Sequence, residues 1–499
     1  MPPRPHDTVE AGGELVEVRL GPVDLAGTHQ GQADRPREAR RTVALVQGRV
    51  SHRLVLLGPD HGAVRSLVTA IVSPTRASTT PGLARGAEDD VARPESSASG
   101  PGSRALVVDV IRSSGPISRV ELTETTGLTQ PSISNIVRKL LVEGIVRESG
   151  RVASGGGKPR TLIEINPGAL YAVGVQLGFE SMTFVATGAG GGIVARQLVD
   201  GASLDSPDEV TDRLVAQFDA FVDAAGISRA SIAGVAVVAP GPLSADHGAI
   251  LRSPTLRRWE GFSLRDRLSE RLDVPVLIDN DAAAAAVGEF WTRRVPRTET
   301  FAGIYMGTGL GAGIIIDGAL YRGASSNAGE LGHTSVDLDG EPCFCGNRGC
   351  VERYAAPAAV LLQAREQSGR LTGLGLAFED HTVAQDFDRL ARAAVGGHPV
   401  AESLIATSAR YLAAAVVSFV NVLDVDRLVL SGPSIAVAGS VYARAVRERL
   451  MESAFARQSH DVRVELATNP RDSAAIGAAA LVLQSSVSPG HGPQLIQPN

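Results

Sequence analysis

Cysteine is scarce in this 499-residue chain, where it occurs only three times. Three cysteines cannot build a disulfide framework, so the class of disulfide-stapled secreted proteins is excluded. Long apolar runs are also missing: no stretch of about eighteen apolar residues occurs, and we expect no membrane span. The N-terminal segment lacks the apolar core of a signal peptide. Together these absences predict a cytoplasmic protein.

The charge balance is slightly acidic, with a formal net charge of −6. That value argues against a protein that binds polyanions over its whole surface. Residues 103–165 differ, because nine basic and six acidic side chains give them +3 and leave −9 for the rest of the chain. At 43% hydrophobic residues the chain can bury several cores, and we expect three globular units.

The two ends of the chain have the composition of unstructured segments. Residues 1–102 are rich in turn-forming and charged residues, and we interpret them as a disordered arm or linker. Apolar patches at residues 43–46 and 54–57 could form a hairpin within that arm. Residues 486–499 are interpreted as a disordered tail.

A helix-turn-helix is predicted after the arm. Apolar residues at helical spacing begin at Leu106, and Gly115-Pro116 ends this first helix. Ser118 followed by Glu121 is a capping box, which predicts the start of a second helix. A tight turn at residues 127–129 then leads into a third helix. Two helices joined by a short turn containing glycine are typical of this motif.

The third helix presents a polar face that suits DNA. Its apolar stripe consists of Ile133, Ile136, Val137, Leu140 and Leu141. A glycine-rich stretch at residues 155–157, followed by basic residues and a strand, predicts a wing that reaches phosphates. The alternative is a three-helix packing module with a solvated charged face. The predicted DNA contacts are Gln130, Ser132, Ser134, Asn135, Arg138, Lys139, Lys158 and Arg160.

All three cysteines fall within eight residues, ten positions after a histidine. One imidazole and three thiolates are the donors that tetrahedral zinc prefers. Four protein ligands leave no open position, so the predicted role of the metal is structural. The alternative is three unrelated buried cysteines. The predicted zinc ligands are His333, Cys343, Cys345 and Cys350.

The motif Gly-Glu-x-Gly-His at residues 329–333, followed by Cys-x-Cys-Gly-x-x-Gly-Cys-x-Glu at residues 343–352, resembles the zinc signature of the ROK family of repressors, open reading frames and sugar kinases. In that family the two glutamates and the zinc-bound histidine contact a sugar, which implies the same for Glu330, His333 and Glu352. Asn280 and Asp281 resemble the Asn-Asp pair of the family, whose aspartate is the general base in the kinase members.

The resemblance spans residues 103–485 and implies the fold class. We expect an α/β protein in which a winged helix-turn-helix at 103–166 precedes a two-lobed, actin-like (ribonuclease H-like) sugar-kinase fold. The first lobe would comprise residues 167–282, completed by a helix at 473–485. The second lobe, with the zinc loop, would comprise residues 283–472.

The phosphate-binding motif of the kinase members is altered in this chain. Those members carry Asp-x-Gly-Gly-Thr-Lys at the first strands, where this chain has Gln176, Phe179 and Glu180 at the acid, glycine and threonine positions. A carboxylate close to a phosphate repels it by about 1 kcal/mol or more. Although the glycine turn at residues 307–313 is intact, these differences predict that the chain is not an enzyme.

These observations predict a sugar-responsive DNA-binding transcriptional regulator, most simply a repressor. Its partners would be double-stranded operator DNA and a sugar or sugar derivative, in a homodimer or homotetramer, with zinc as a structural cofactor. The alternatives are an ATP-dependent sugar kinase with an added DNA-binding domain, and a metal-stabilised scaffold with a vestigial sugar pocket.

Overall fold

The computed structural model describes residues 43–47, 52–56, 101–154, 157–244, 248–253 and 255–487. Strand β1 (Val43–Gln47) pairs antiparallel with β2 (His52–Leu56), in agreement with the two apolar patches. The other residues of the predicted arm before residue 101, and residues 488–499 of the predicted tail, lie outside the described residues.

Residues 101–165 form three helices and a small sheet: α1 (Pro101–Ser114), β3 (Ile117–Ser118), α2 (Arg119–Thr126), α3 (Gln130–Val142), β4 (Val146–Ser154) and β5 (Gly157–Ile165). The sheet is antiparallel, with the order β3-β5-β4. The predicted capping box is confirmed, since Ser118 and Glu121 exchange side-chain and backbone hydrogen bonds. Thr129 caps α3, a role that the sequence interpretation did not assign.

The first lobe is built on a mixed five-stranded sheet of order β12-β9-β6-β7-β8. Strands β12, β9 and β6 are parallel, and β6, β7 and β8 form an antiparallel meander. The elements are β6 (Tyr171–Leu177), β7 (Ser181–Gly188), β8 (Ile193–Asp200), α4 (Pro207–Ala224), β9 (Ile232–Ala239), β10 (Leu243–Ser244), β11 (Ala249–Ile250), α5 (Leu264–Ser269) and β12 (Val276–Asn280).

The second lobe repeats this plan with a sheet of order β15-β14-β13-β16-β17. Its elements are α6 (Asp281–Thr292), β13 (Phe301–Met306), β14 (Leu310–Ile316), β15 (Ala319–Leu320), α7 (Glu352–Ala355), α8 (Pro357–Glu366), α9 (Val383–Val395), α10 (Pro399–Leu423), β16 (Arg427–Ser431), α11 (Ile435–Ser453) and β17 (Arg463–Leu466). The last helix, α12 (Ser473–Val487), packs against β6, β7 and β9 of the first lobe. The predicted α/β architecture of two lobes is confirmed.

Helices α6 and α12 lie between the two sheets and share one alanine-rich core with both of them. They approach so closely that a Cβ on Gly288 would lie 2.8 Å from the Cα of Gly477. A Cβ on Gly477 would in turn lie 1.8 Å from the carbonyl oxygen of Ala284. Glycine is therefore needed where the two helices cross.

Two predicted boundaries differ from the structure. The lobe boundary at residues 282/283 falls inside α6, because the helix is continuous from Asp281 to Thr292. The last helix runs to Val487 and not to residue 485, so the first two residues of the predicted tail are helical. Val487 is only 1% exposed because it packs into the core of the N-terminal domain.

One helix among the described residues, α10, is long and apolar enough to cross a membrane by length and composition alone. Half of its most apolar window is buried within the protein, where it belongs to the core of the second lobe. A core helix of a folded domain has the same properties.

Candidate functional site

The four predicted metal ligands come together. One donor atom from each of the four side chains lies within 4.8 Å of the other three. The Nδ1 atom of His333 is 3.5 Å from the sulfur of Cys343, and the sulfurs of Cys345 and Cys350 are 3.7 Å apart. A tetrahedral site with metal–sulfur bonds of about 2.3 Å has sulfur–sulfur edges of about 3.8 Å. The donors therefore fit a metal ion, and the prediction that these residues converge is confirmed.

The loop that carries the ligands is held by its own backbone. The amide of Cys343 donates to the carbonyl of Asn347 at 2.8 Å, which closes a tight turn between the first and last cysteines. Gly349 has a φ of +64°, and a Cβ there would lie 1.6 Å from the carbonyl oxygen of Asp337. Only glycine fits at this position, directly before the ligand Cys350.

Burial raises the pKa of the Cys343 and Cys350 thiols, whereas at the exposed Cys345 desolvation is outweighed by hydrogen bonds from the amide of Asn347 and from the neighbouring thiols, which lower the pKa. Desolvation, reinforced by the neighbouring thiols, raises the pKa of Cys350 to about 12. A bound cation favours thiolates and would offset this cost. Three sulfurs and one imidazole in one small volume therefore match the chemistry of a soft divalent metal.

Asp281 is the first residue of α6 and is buried, with the side chains of Glu330 and Tyr305 near it. Burial raises its pKa to about 7; the backbone amide of Ala282 opposes this rise, and the charge of Glu330 adds to it. A carboxylate with this pKa can accept a hydrogen bond or a proton near neutral pH.

The two glutamates of the zinc signature lie near each other and near His333. The side chain of Glu330 is accessible to solvent, yet surrounding atoms desolvate it and raise its pKa, while His333 opposes this effect and Glu352 adds to it. An oxygen of Glu352 accepts the backbone amide of Leu310 at 3.2 Å, so the metal loop contacts the glycine turn after β13. Asp281, Glu330, Glu352 and His333 thus form a set of acceptors suited to hydroxyl groups.

Asn280 has a structural role as the N-cap of α6. Its side-chain oxygen accepts the amides of Ala282 at 2.9 Å and Ala283 at 3.0 Å, and its nitrogen donates to the carbonyl of Gly241 at 3.2 Å. These bonds use both lone pairs of the oxygen and leave one amide hydrogen for a ligand. A sugar contact by Asn280 stays a prediction.

Two contacts that join the lobes were not predicted from the sequence. Arg322 forms a bidentate ion pair with the buried Asp279, at 3.1 and 2.6 Å. The amide oxygen of Asn327 accepts the backbone amide of Leu243 at 2.7 Å, and its nitrogen donates to the carbonyl of the same residue at 3.1 Å. In each contact the two residues lie far apart in the chain, so no local sequence pattern identifies the pair.

The altered residues of the kinase motif also bridge the lobes. The amide nitrogen of Gln176 donates to the hydroxyl of Tyr305 at 2.6 Å. An oxygen of Glu180 accepts the amide of Ala384 at 2.9 Å, at the first turn of α9. The cap residue of α9, Thr382, makes no capping bond of its own. Glu180 therefore caps a helix of the opposite lobe, and Phe179 beside it is partly buried.

The outer face of α3 matches its predicted orientation. Ile133, Ile136, Val137 and Leu140 are buried and Leu141 is partly buried, as the apolar stripe requires. The side chain of Lys158 lies outside the described residues, and both Lys158 and Arg160 fall within β5, not in the turn before it. The polar face comprises the exposed Gln130, Ser134, Arg138, Lys139 and Arg160 and the partly buried Ser132 and Asn135.

Comparison with known proteins identifies the family. The sequence profile of the ROK family matches residues 172–485. This chain belongs to the ROK family. Its actin-like fold follows from that membership and from the solved structures of other ROK proteins.

Two curated ROK relatives are transcriptional regulators. The xylose repressor of Caldicellulosiruptor bescii is 27% identical over 392 residues, which cover 77% of this chain and 96% of the repressor. The DNA-binding transcriptional dual regulator NagC of Escherichia coli K12 is 28% identical over 395 residues, covering 77% of this chain and 93% of NagC.

Two solved ROK structures have the same fold. A ROK family transcriptional regulator, described as a homolog of the E. coli MLC protein, is 26% identical with a TM-score of 0.61, and the match covers 78% of this chain and 96% of that chain. A ROK family glucokinase from Streptomyces griseus, in complex with glucose and AMPPNP, is 26% identical with a TM-score of 0.54. The match covers 62% of this chain and 98% of the glucokinase chain.

Proposed function

We propose that this ROK protein is a sugar-responsive transcriptional repressor. Its N-terminal domain, a winged helix-turn-helix, binds operator DNA, and its cleft binds a sugar or sugar derivative without transferring phosphate to it. The observation that carries this proposal is the exposed polar and basic face of α3, joined in one chain to a cleft lined by carboxylates.

The geometry of the N-terminal domain supports DNA binding. Gln130 and Ser134 lie near the start of α3, where a helix in the major groove meets base edges, and Arg138 and Lys139 follow one turn later. Thr129 caps the start of the helix and leaves these side chains exposed. The strands β4 and β5 would form the wing, and Arg160 on β5 would then contact the phosphate backbone.

Coverage in the comparisons supports a regulator over a kinase. The three regulators match 77–78% of the chain, whereas the S. griseus glucokinase matches 62%. The part of the chain that the regulators match and the glucokinase does not is comparable in size to the N-terminal domain. The names of the relatives refer to different sugars, xylose in one repressor and N-acetylglucosamine in another, so the effector of this chain is assigned only as a sugar or sugar derivative.

Zinc is the metal that we assign to the His333 cluster, because its tetrahedral geometry and affinity for imidazole and thiolate match the donors. His333 presents Nδ1 to the cluster, so its Nε2 atom is free to meet a sugar hydroxyl. Bound zinc would fix the loop on which Glu330 and Glu352 lie, and these residues with Asp281 would accept hydrogen bonds from the sugar.

One observation favours the alternative of a sugar kinase: Asp281 has a pKa of about 7, which suits a general base. Against it, Gln176 and Glu180 engage the opposite lobe where kinase members manage metal and phosphate. An assay of ADP release over a panel of sugars separates the two functions. Turnover that disappears in Asp281→Asn would establish the kinase, and no turnover above background supports the repressor.

The DNA-binding function is tested with a duplex selected by the protein from a random library. We expect affinity to fall with salt concentration, and Lys139→Ala to reduce the slope of that dependence by about one counterion. Arg229→Ala, an exposed ion-paired arginine in the first lobe, is the matched control and should leave the slope unchanged. A salt slope near zero for the wild type would contradict DNA binding.

We further propose that the repressor is a homodimer or homotetramer in which sugar binding closes the lobes. Closure would change the spacing of two DNA-binding domains, so that the half-sites of a palindromic operator no longer match. The sugar must bind one arrangement more tightly than the other for this switch to work. Sugar-dependent release of the selected duplex is the expected result.

A further inference from the structure

Arg112, on α1 of the N-terminal domain, is buried against the C-terminal end of α6. Its guanidinium donates to the carbonyl oxygens of Phe290 at 3.3 Å, Trp291 at 3.1 Å and Val295 at 3.0 Å. It also lies 5.0 Å from the ring centres of Phe290 and Trp291, within cation–π range. Phe290 and Trp291 belong to the last turn of α6, where the carbonyls carry partial negative charge that a cation stabilises, and Val295 follows the helix. Arg112 thus caps a helix of another domain.

The chemistry of this contact requires arginine. Two further bonds, at 3.1 and 2.7 Å, join the guanidinium to one carboxylate oxygen of Asp109, so all its N–H groups are used. The side chain of Arg112 is 3% exposed. Lysine has fewer donors and no planar fork, so it cannot satisfy the same carbonyls and Asp109 together.

The contact between Arg112 and the end of α6, called the junction below, also contains buried polar atoms that lack hydrogen-bond partners. The second carboxylate oxygen of Asp109 and the indole nitrogen of Trp291 are buried and have no hydrogen-bond partner among the described residues. A buried polar atom without a partner is costly, so an arrangement that gave these two atoms partners would gain free energy. Such a junction can change its contacts when the helix moves.

The other end of α6 lies at the sugar cleft. Asp281 is its first residue, and the helix is 12 residues long, or about 18 Å at 1.5 Å per residue. Ten of its residues, from Asp281 to Trp291, are buried. Because close-packed interiors transmit displacement, a shift at Asp281 reaches the carbonyls held by Arg112.

The second helix between the lobes reaches the N-terminal domain as well. Its last residue, Val487, lies in the hydrophobic core of that domain, together with residues of α1 and α3. The two helices touch at Gly288 and Gly477, so movement of one lobe against the other slides α6 over α12. The N-terminal domain is thus attached to the C-terminal ends of both helices.

We propose that Arg112 is the residue that couples the sugar cleft to the DNA-binding domain. A sugar that contacts Asp281 shifts α6 relative to α12, and Arg112 transmits this shift to α1 and so to the orientation of α3. The inference rests on the proposed function, which supplies the sugar and the DNA. It assigns the coupling to one side chain that contacts neither of them.

The test compares Arg112→Lys with Arg294→Lys in the full chain. Arg294 lies at the same junction but is exposed and makes one weak bond, 3.4 Å, to the carbonyl of Gly115. Xylose, glucose and N-acetylglucosamine serve as probes, and their binding is followed by calorimetry. Affinity for the selected duplex is measured with and without each sugar.

We expect a sugar to weaken DNA binding of the wild type and of Arg294→Lys by about 5-fold or more, which is typical of allosteric coupling. Arg112→Lys should bind sugar and sugar-free DNA as the wild type does, with a response below about 2-fold. An undiminished response in Arg112→Lys would overturn the coupling role and leave the repressor intact. If no sugar affects wild-type DNA binding, the proposed function fails and the coupling fails with it.

A second variant covers the case in which Arg112→Lys does not fold. Phe290→Leu keeps the backbone carbonyls and removes the ring under the guanidinium, so we expect a reduced sugar response with unchanged sugar-free DNA affinity. Hydrogen exchange adds a readout without DNA: sugar should alter exchange in residues 101–114 of the wild type. The absence of any change there, with sugar bound, would overturn the proposal.

Discussion

The metal loop (residues 329–352) and the altered kinase turn (residues 176–180) both contact the hairpin formed by β13 and β14. The polar groups of the two regions nevertheless have opposite surroundings. Glu352 of the metal loop accepts the amide of Leu310 in β14, and Gln176 of the turn donates to the hydroxyl of Tyr305 in β13. In the loop, four donors face one another and suit a cation. In the turn, Gln176 and Glu180 are already bonded to the opposite lobe.

This contrast bears on the proposed function, in which the fold binds a sugar without transferring phosphate to it. A site remains available to a ligand when its polar groups lack better partners within the protein. Among the described residues, the side chain of Glu330 meets this condition, and Glu352 keeps one carboxylate oxygen besides the one that accepts the amide of Leu310. Residues 176–180 do not, because their side chains stabilise the contact between the lobes and a phosphate would have to displace them.

The largest expected effect comes from emptying the metal loop. Cys350→Ser, or removal of zinc by a chelator, should lower the free energy of unfolding by several kcal/mol, because metal binding contributes directly to the folding of such loops. Sugar binding should be lost as well, since Glu330 and Glu352 depend on the loop. Differential scanning calorimetry and elemental analysis measure both effects.

The control for this prediction is Asn347→Ser, an exposed position of the same loop that supplies no ligand. Its melting temperature should stay within a few degrees of the wild type. If the purified protein contains no zinc, or if a chelator leaves its unfolding temperature unchanged, the metal loop does not bind a stabilising cation. The contrast with the altered kinase turn would then be wrong.

Asp281, which lies between the two regions, should give a pH-dependent effect of intermediate size. Its pKa is raised from 3.8 to about 7 in the folded protein, so its stabilising contribution is present below pH 4 and is lost as the pH rises through about 7. Asp281→Asn does not ionise. We therefore expect it to be more stable than the wild type at pH 8, by up to about 4 kcal/mol, and to differ little at pH 4.

Thermal unfolding at both pH values measures this difference, and calorimetry should show weaker sugar binding by Asp281→Asn at pH 8. Equal stability gains at pH 4 and pH 8 would mean that the burial of the charge is not the cause.

The smallest expected effect comes from Glu180→Ala. Loss of the acceptor for the amide of Ala384 should lower the free energy of unfolding by about 1 kcal/mol, as for a lost helix cap. Glu209→Ala is the matched control, because Glu209 belongs to a capping box within one lobe. Only Glu180→Ala should accelerate hydrogen exchange at the start of α9. Unchanged exchange there would show that the turn does not hold the two lobes together.

The sequence by itself determined the features whose parts lie close together along the chain. The metal ligands lie within 18 residues, the capping box of Ser118 and Glu121 spans one helical turn, and the apolar stripe of α3 repeats along one helix. Such patterns depend on local geometry and donor chemistry, which a sequence states directly.

Only the tertiary structure decided the contacts between distant residues. Glu180 and Ala384 are 204 residues apart, and Arg112 and Phe290 are 178 apart. The sequence interpretation assigned Asn280 a sugar contact over the alternative of local side-chain hydrogen bonds, and in the structure its side chain caps α6. Charge and hydrogen-bonding capacity are visible in a sequence, but the partner that satisfies them is chosen by the packing of the whole chain.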